Sequence, residues 1–244
     1  MNGIAVVTGA SSGIGAATAR SLSKHFKVYC VARRSDRIEA LAAEIGGVAL
    51  QCDVGEPSHV SRLANAAGDR VDLLVNNAGG ALGQEPLATD ELSRWESMYK
   101  TNVLGSARVT QALLPALREA QGTVIFMSST AAEAAYEGGG GYCGVKSAVH
   151  SMAGALRLEL VSEPVRVCEI SPGMVHTEEF SLTRFNGDRS RADAVYEGVQ
   201  DPLVAEDIAD AILWIATRPP HVNIDRMVIR PRAQAANHKV FRTT

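Results

Sequence analysis

A single doubly wound α/β domain, a parallel seven-stranded sheet with helices on both faces, is the architecture this sequence predicts. Three observations predict it. Short apolar, β-branched runs alternate along the 244 residues with longer segments of helical apolar spacing, the pattern of strands joined by crossover helices. The runs are nearly all-apolar rather than alternating, as expected of strands buried on both faces. No linker, repeat or low-complexity tract interrupts the chain apart from the four glycines 138–141, so residues 1–244 form one domain with no room for a second.

Ligands of such sheets bind outside the carboxyl ends of the strands, so the residues that follow each run are the candidates. The first run, IAVVTG (4–9), leads into TGASSGIG, Thr8 to Gly15, and a helix over 13–24. Three glycines between strand and helix let the backbone approach a pyrophosphate, and the helix N-terminus supplies positive potential. Gly9, Ser11, Ser12, Gly13, Ile14 and Gly15 are therefore candidate phosphate-loop residues of a Rossmann-type fold. Their spacing, Gly9-x3-Gly13-x-Gly15, differs from GxGxxG, and the plain alternative is a tight βα turn.

The second run, KVYCVA (27–32), is followed by Arg33, Arg34 and a helix over 36–45. A site that prefers NAD places an acid roughly 20 residues beyond the glycines; here that place is Ala32. A guanidinium would clamp the 2′-phosphate of NADP bidentately. As mere solvated charges, two arginines at a helix start would oppose the macrodipole, a conflict that a phosphate guest relieves. NADP(H) is accordingly the expected cofactor.

The third run, GVALQCD (47–53), ends in Asp53 and Val54 before a helix over 57–68. Asp53 can accept from an adenine amino group while Val54 packs on the ring; an N-cap role for Asp53 is equally open. The fourth, VDLLVNN (71–77), runs into NNAG, Asn76 to Gly79. Ala78 and Gly79 leave room for a ribose, and Asn76 belongs to the same candidate cofactor wall, although asparagines there can also tie strands together. One long helix is predicted over 90–119. The fifth run, TVIFMSS (123–129), ends at Ser129. After the glycines comes YCGVK, opening a helix over 142–161. Tyr142 and Lys146, four residues apart, share one helix face, and a Lys ammonium beside a phenol lowers its pKa. The sixth run, VRVCEIS (165–171), is followed by SPGMVHT; a helix over 205–217 and the run RMVIRP (226–231) complete the sheet.

Composition narrows the function classes. The hydrophobic content of 46% suits a substantial core, and the net charge of −3 gives no bulk pull toward nucleic acid or anionic membrane. No apolar run approaches the roughly 20 residues that span a bilayer. The N-terminus enters a strand-like run without a basic region or cleavage site, which reads as cytoplasmic. Cys30, Cys52, Cys143 and Cys168 have neither disulfide-pair nor zinc spacing. The first, second and fourth read as core residues, and Cys143 as a packing residue beside Tyr142.

TGASSGIG, NNAG, Asn102 in TNVLG, Ser129 in MSS, YCGVK and SPGMVHT stand in this order over residues 8 to 177, with Ser129 thirteen positions before Tyr142. In this ordered set the chain resembles the short-chain dehydrogenase/reductase superfamily along its whole length. LGQEP, RFNGD and HVNI further resemble the NADP-dependent 3-hydroxy acid (serine-type) dehydrogenases, with clavulanic acid dehydrogenase-like enzymes as near neighbours. The resemblance implies a hydride transfer between a nicotinamide and a carbonyl or secondary alcohol. It implies Tyr142 as acid/base, Lys146 as its activator and nicotinamide-ribose anchor, Ser129 as carbonyl orienter and Asn102 as holder of a water relay. In SPGMVHTEE, Pro172 and Gly173 turn the chain, backbone groups near Val175 are candidates to hold the nicotinamide carboxamide, and Thr177 is a candidate to reach a phosphate; the resemblance implies that a loop over about 173–200 covers the substrate.

That loop is polar. Arg184 is the cation of FSLTRFNG and a candidate partner for a substrate carboxylate, with a surface or subunit-contact arginine as the alternative. His176 reads as a solvent-facing loop residue rather than a second catalyst. A small 3-hydroxy or 3-oxo acid is the expected substrate; a general carbonyl reductase acting on a neutral ketone or aldehyde, and a non-catalytic nucleotide-binding module, are the alternatives. The intact set Asn102, Ser129, Tyr142 and Lys146 argues against the last. The resemblance implies a homotetramer joined through the helices 90–119 and 142–161. Leu104, Val109, Leu113, Leu156 and Leu160 on those helices are consistent with subunit contact or with the core. No metal is expected.

Overall fold

A computed structural model describes residues 3–243. Seven parallel strands, β1 (Gly3–Thr8), β2 (Phe26–Ala32), β3 (Val48–Gln51), β4 (Leu73–Asn76), β5 (Thr123–Met127), β6 (Arg166–Pro172) and β9 (Met227–Ile229), form one sheet in the order β3-β2-β1-β4-β5-β6-β9. Each lies within a predicted run or one residue beyond it. The chain winds outward from β1 to β3, returns to the other side of β1 with β4, and winds outward again. At that reversal the connections leave β1 and β4 in opposite directions, opening a crevice at their carboxyl ends.

Helices cover both faces because alternate strand residues point to opposite sides. On one face α1 (Gly13–Leu22), α2 (Ser35–Ile45) and α9 (Ala205–Ala216) bury Leu22, Ile38, Leu41, Ile208 and Ile212 against Ala5, Val7, Val28, Val75 and Ile170. On the other, α3 (Pro57–Ala67), α5 (Ser106–Ala120) and α6 (Gly140–Glu159) bury Leu63, Leu113, Leu117 and Val149 against Val6, Val31, Leu74, Val124 and Phe126. Burying each such side chain is worth about 1.5–3 kcal/mol, which explains why the near-continuous apolar runs become central strands. Val109, Leu113 and Leu160 belong to this core, whereas Leu104, Leu158 and Val161 are exposed. All four cysteines are free and buried.

The predicted single helix over 90–119 is in fact α4 (Leu92–Met98), a π-helical stretch (Tyr99–Gly105) and α5. The wider turn is centred on Asn102, and such stretches recur at functional sites. The polar segment after β6 also contains elements that lack a sequence period. β7 (Val175–His176) pairs in parallel with β8 (Leu203–Val204), and α7 (Phe180–Arg184) and α8 (Arg189–Ala194) lie between them. Near the C-terminus β10 (Gln234–Ala236) and β11 (Lys239–Val240) form an antiparallel hairpin. Among the described residues no helix is long and apolar enough to cross a membrane.

Candidate active site

A cleft of about 1170 Å³ opens at the carboxyl ends of the strands. The loop from β1 to α1 forms its floor. Gly9 has φ +68°, which only glycine adopts freely, and a Cβ on it would lie 2.9 Å from Ala78 Cα of the loop after β4. Thr8 fastens the two loops together: its hydroxyl donates to Val75 O at 3.2 Å and accepts from Asn77 N at 3.0 Å and Ala78 N at 2.9 Å. Asn77 Nδ2 adds a bond to Thr8 O at 2.9 Å.

Asn76 does not belong to the cleft wall, contrary to the sequence expectation. It is buried and donates to Thr110 Oγ1 of α5 at 2.8 Å. As the last residue of β4 its side chain alternates away from the crevice, and Asn77 takes the place assigned to it. The other candidate cofactor residues, from Gly9 and Ser11–Gly15 through Arg33, Arg34, Asp53, Val54, Ala78 and Gly79 to Pro172, Gly173, Val175 and Thr177, all line the cleft.

Arg33 stands exposed on that wall. Arg34 is engaged, with Nη2 donating to Ser11 Oγ at 2.9 Å and Ser12 Oγ at 3.1 Å, and both terminal nitrogens meeting the Glu179 carboxylate at 2.9 and 2.7 Å. The beginning of α2 therefore already holds an anion with the fork geometry a phosphate requires. Asp53 Oδ1 accepts from Gly55 N at 2.8 Å; it braces its own turn while facing the cleft, and Glu56 is the residue at the α3 N-cap.

The catalytic candidates converge at the far end. Ser129 begins a short 3₁₀ turn after β5, where its hydroxyl accepts from Ala131 N at 3.1 Å. Tyr142 and Lys146 lie in the first two turns of α6, with Lys146 Nζ 5.7 Å from the Tyr142 ring centroid. Lys146 is buried and donates to Met127 O at 2.9 Å. Asn102 ties the π-helical stretch to the β4 loop: Nδ2 donates to Gly80 O at 3.1 Å and Met98 O at 2.9 Å, and Oδ1 accepts from Gly80 N at 3.2 Å.

Electrostatics differ from the expectation that Lys146 lowers the Tyr142 pKa. Burial pushes the Tyr142 phenol well above its ordinary 10, the neighbouring Tyr136 adds to the rise, and the polar influence of Ser129 and the charge of Arg184 only oppose it. Burial also brings Lys146 down to about 8. Desolvation is the largest cause for both groups, since it disfavours both charged forms.

Residues that sequence reasoning missed complete the pocket. Tyr136 lines the cleft, and its phenol accepts from Arg184 Nη2 at 3.1 Å. The glycines before Tyr142 were its one sequence signal: a Cβ on Gly139 would lie 2.5 Å from the Tyr136 ring. Ser128 Oγ is buried in the cleft wall without a hydrogen-bond partner among the described residues, as suits a wall that receives a polar guest. Gln234, Asn237, His238, Val240 and Arg242 of the C-terminal segment close one side. Arg184 itself reaches the site, with Nε donating to Gly83 O at 2.9 Å and its guanidinium carbon 5.9 Å from the Tyr142 ring centroid. His176 lies outside the cleft lining, its ring tilted at 49° against that of Tyr196 with centroids 4.4 Å apart. No cluster of three or more metal-ligating side chains occurs among the described residues.

The short chain dehydrogenase family model matches residues 3–184. The chain belongs to this family. Its relatives within the short chain dehydrogenases include an uncharacterised oxidoreductase of Mycobacterium tuberculosis, 54% identical over 96% of this chain and 92% of that one. A serine 3-dehydrogenase of Agrobacterium fabrum is 41% identical over 99% of each chain. An NADP-dependent 3-hydroxy acid dehydrogenase of Schizosaccharomyces pombe is 37% identical over 97% of this chain and 95% of its own. Among solved structures, the closed form of serine dehydrogenase complexed with NADP+ superposes with a TM-score of 0.92 at 34% identity, covering 99% of this chain and all of that one. The chain is thus a short chain oxidoreductase acting on hydroxyl groups, and the fold is that of the family.

Proposed function

We propose that this NADP(H)-dependent oxidoreductase interconverts a small 3-hydroxy acid and its 3-oxo partner, with Arg184 as the carboxylate anchor. The observation that carries the substrate reading is the place of Arg184: it lies beside Tyr142 and Tyr136 in the cleft, on α7 above the catalytic candidates. A guanidinium has five N–H donors; Gly83 O and Tyr136 Oη take one each, which leaves donors for a carboxylate. Relatives named serine 3-dehydrogenase and 3-hydroxy acid dehydrogenase support the same class.

The cofactor fits the residues present. The glycine loop approaches the pyrophosphate, Arg33 and Arg34 receive the 2′-phosphate, Asp53 and Val54 meet the adenine, and Ala78 and Gly79 make room for its ribose. Lys146 anchors the nicotinamide ribose, and the segment Pro172–Thr177 holds the carboxamide end. When bound, NADPH supplies the hydride. Tyr142 gives its proton to the carbonyl oxygen, a role for which burial in the protonated form suits it in the reductive direction. Ser129 donates a hydrogen bond to the developing alkoxide. Asn102 holds the Gly80 loop and the α4 end in register, and with them the path by which Tyr142 regains a proton.

A second reading has its own observation. Because Arg184 already binds Gly83 O and Tyr136 Oη, it can serve as a strut that fixes the pocket of a reductase for neutral ketones. Arg184→Ala, assayed on a 3-oxo acid and on its methyl ester, separates the two. An anchor predicts a KM for the acid raised about 10- to 100-fold, the worth of a charged hydrogen bond, and an ester little affected. Equal losses on both substrates would establish the strut.

A further inference from the structure

Glu179 immediately precedes α7 and is 145 residues from Arg34 in sequence, yet its carboxylate occupies both terminal nitrogens of that guanidinium. Oε1 lies 2.9 Å from Arg34 Nη1 and Oε2 lies 2.7 Å from Nη2, while Arg37 Nη1 stands 3.3 Å from Oε1. The same Nη2 meets the hydroxyls of Ser11 and Ser12. Glu179 lines the cleft together with the glycine loop, Arg33 and Arg34, and its carboxylate, which comes from the covering segment, fills an anion cradle assembled from the loop between β1 and α1 and the beginning of α2. Carboxylate and phosphate use the same two-pronged face of a guanidinium, and one Arg34 cannot present that face to both.

We propose that Glu179 is an internal competitor for the adenosine 2′-phosphate of NADP(H), and that it tunes cofactor choice from the substrate-covering segment. The inference rests on the reading that Arg34 receives that phosphate. NADP(H) exchanges the carboxylate for its phosphate on Arg34. NAD(H) has no phosphate to offer and leaves the Arg34–Glu179 pair closed. Removing the negative charge of Glu179 therefore strengthens NADP(H) binding and leaves NAD(H) binding almost unchanged. The exchange also links the two halves of the site, because Glu179 is the N-cap residue of the short helix that carries Arg184 to Gly83 O and Tyr136 Oη. Loading of the phosphorylated cofactor frees the N-cap residue of the helix that bears the proposed substrate anchor.

The test is a binding titration, without turnover, of NADP+, NAD+, adenosine 2′,5′-bisphosphate and adenosine 5′-monophosphate against the wild type, Glu179→Gln and Arg34→Ala. Glu179→Ala serves as a second variant, and thermal melting checks that each folds. Both Glu179 variants are expected to bind NADP+ and the 2′,5′-bisphosphate about 3- to 5-fold more tightly, given the modest strength of a partly exposed ion pair, and to bind NAD+ and the monophosphate within about twofold of wild type. Arg34→Ala is expected to weaken only the two 2′-phosphorylated ligands. Weaker binding of both dinucleotides by the Glu179 variants would overturn the proposal, making Glu179 a clasp over bound cofactor. Unchanged selectivity in the Glu179 variants beside a selective loss in Arg34→Ala would overturn the competition while leaving the phosphate reading intact. An equal loss of NADP+ and NAD+ in Arg34→Ala would remove the phosphate reading and the inference with it.

Discussion

Lys146 shows at the scale of one residue what a buried cation in the cleft does to stability. Its ammonium is buried with the Met127 carbonyl as its hydrogen-bond partner, and burial lowers its pKa from 10.5 to about 8. Below about pH 8 the lysine is charged in folded and unfolded chains alike, and the full cost of burying the charge is present. Between about pH 8 and 10.5 the unfolded chain binds more protons than the folded one, so this cost is relieved as pH rises. Lys146→Met keeps the volume and removes the charge. It should raise stability at pH 7 by about 1–3 kcal/mol, reduced by the lost bond to Met127, and the gain should fade as pH approaches 10. Above pH 10 Tyr142 acts in the opposite sense, since its raised pKa keeps the folded phenol protonated while the unfolded one ionises. Thermal melts of wild type and Lys146→Met from pH 6.5 to 10 measure the difference. A variant less stable at pH 7 would mean that the Met127 bond outweighs the desolvation. Activity should fall at every pH, because the same buried cation is the group proposed to anchor the ribose and to act on Tyr142.

At the scale of elements, the π-helical stretch Tyr99–Gly105 ties the helices to the loop after β4. Asn102 satisfies both the N–H and the C=O of Gly80 and also bonds Met98 O, so the loop after β4 and the junction of α4 with α5 move as one piece. Asn102→Ala leaves those groups short of partners, which costs about 1–3 kcal/mol for buried polar groups. Melting should report that loss, and hydrogen exchange should quicken at residues 78–84 while the strands stay protected; protection unchanged in that loop would show that Asn102 does not hold it. The helix itself was legible in the sequence, but the π-turn was not, because apolar spacing over 90–119 reports which face is buried and not the hydrogen-bond register. The seven strands were legible because both faces of β1, β2, β4 and β5 are covered, so Val6 and Val7 both had to be apolar. The short elements around the site left no such trace. β7 pairs with β8 across 28 positions through two residues on each side, too few for a period to register. Tyr136, Glu179 and Asn237 act through partners distant in sequence, and their own neighbours do not mark them. Asn76 was misplaced for a related reason: NNAG contains two adjacent asparagines, and only the strand's alternation decides which one faces the cleft.

For the molecule as a whole, one side of the cleft is closed by chain that lies beyond the stretch matched by the family. The family match ends at residue 184, yet Gln234, Asn237, His238, Val240 and Arg242 all line the cleft. The tail is fastened at several points. Gln234 Oε1 accepts from Met174 N at 2.8 Å, and Asn237 Nδ2 donates to Thr130 O at 3.0 Å and Ala134 O at 2.6 Å, on the turn that begins at Ser129. Farther on, Thr243 N donates to Gly198 O at 2.8 Å and Arg242 Nη2 to Val195 O at 3.0 Å, on the covering segment. The tail thus joins the turn that begins at Ser129 to the segment that follows Arg184. Ending the chain after Ala236 removes these later bonds and leaves β1–β9 and both cores untouched. Such a variant should fold and bind NADP+ within about threefold of wild type, because none of the glycine-loop or arginine contacts depends on residues 237–243. Its KM for a 3-oxo acid should rise by about tenfold or more while kcat falls less, the pattern expected when substrate positioning is lost and the proton donor is kept. Steady-state kinetics beside a cofactor titration decide the matter. A parallel loss of NADP+ affinity would show that the tail supports the whole cleft, and unchanged kinetics would show that the covering segment closes the site without it.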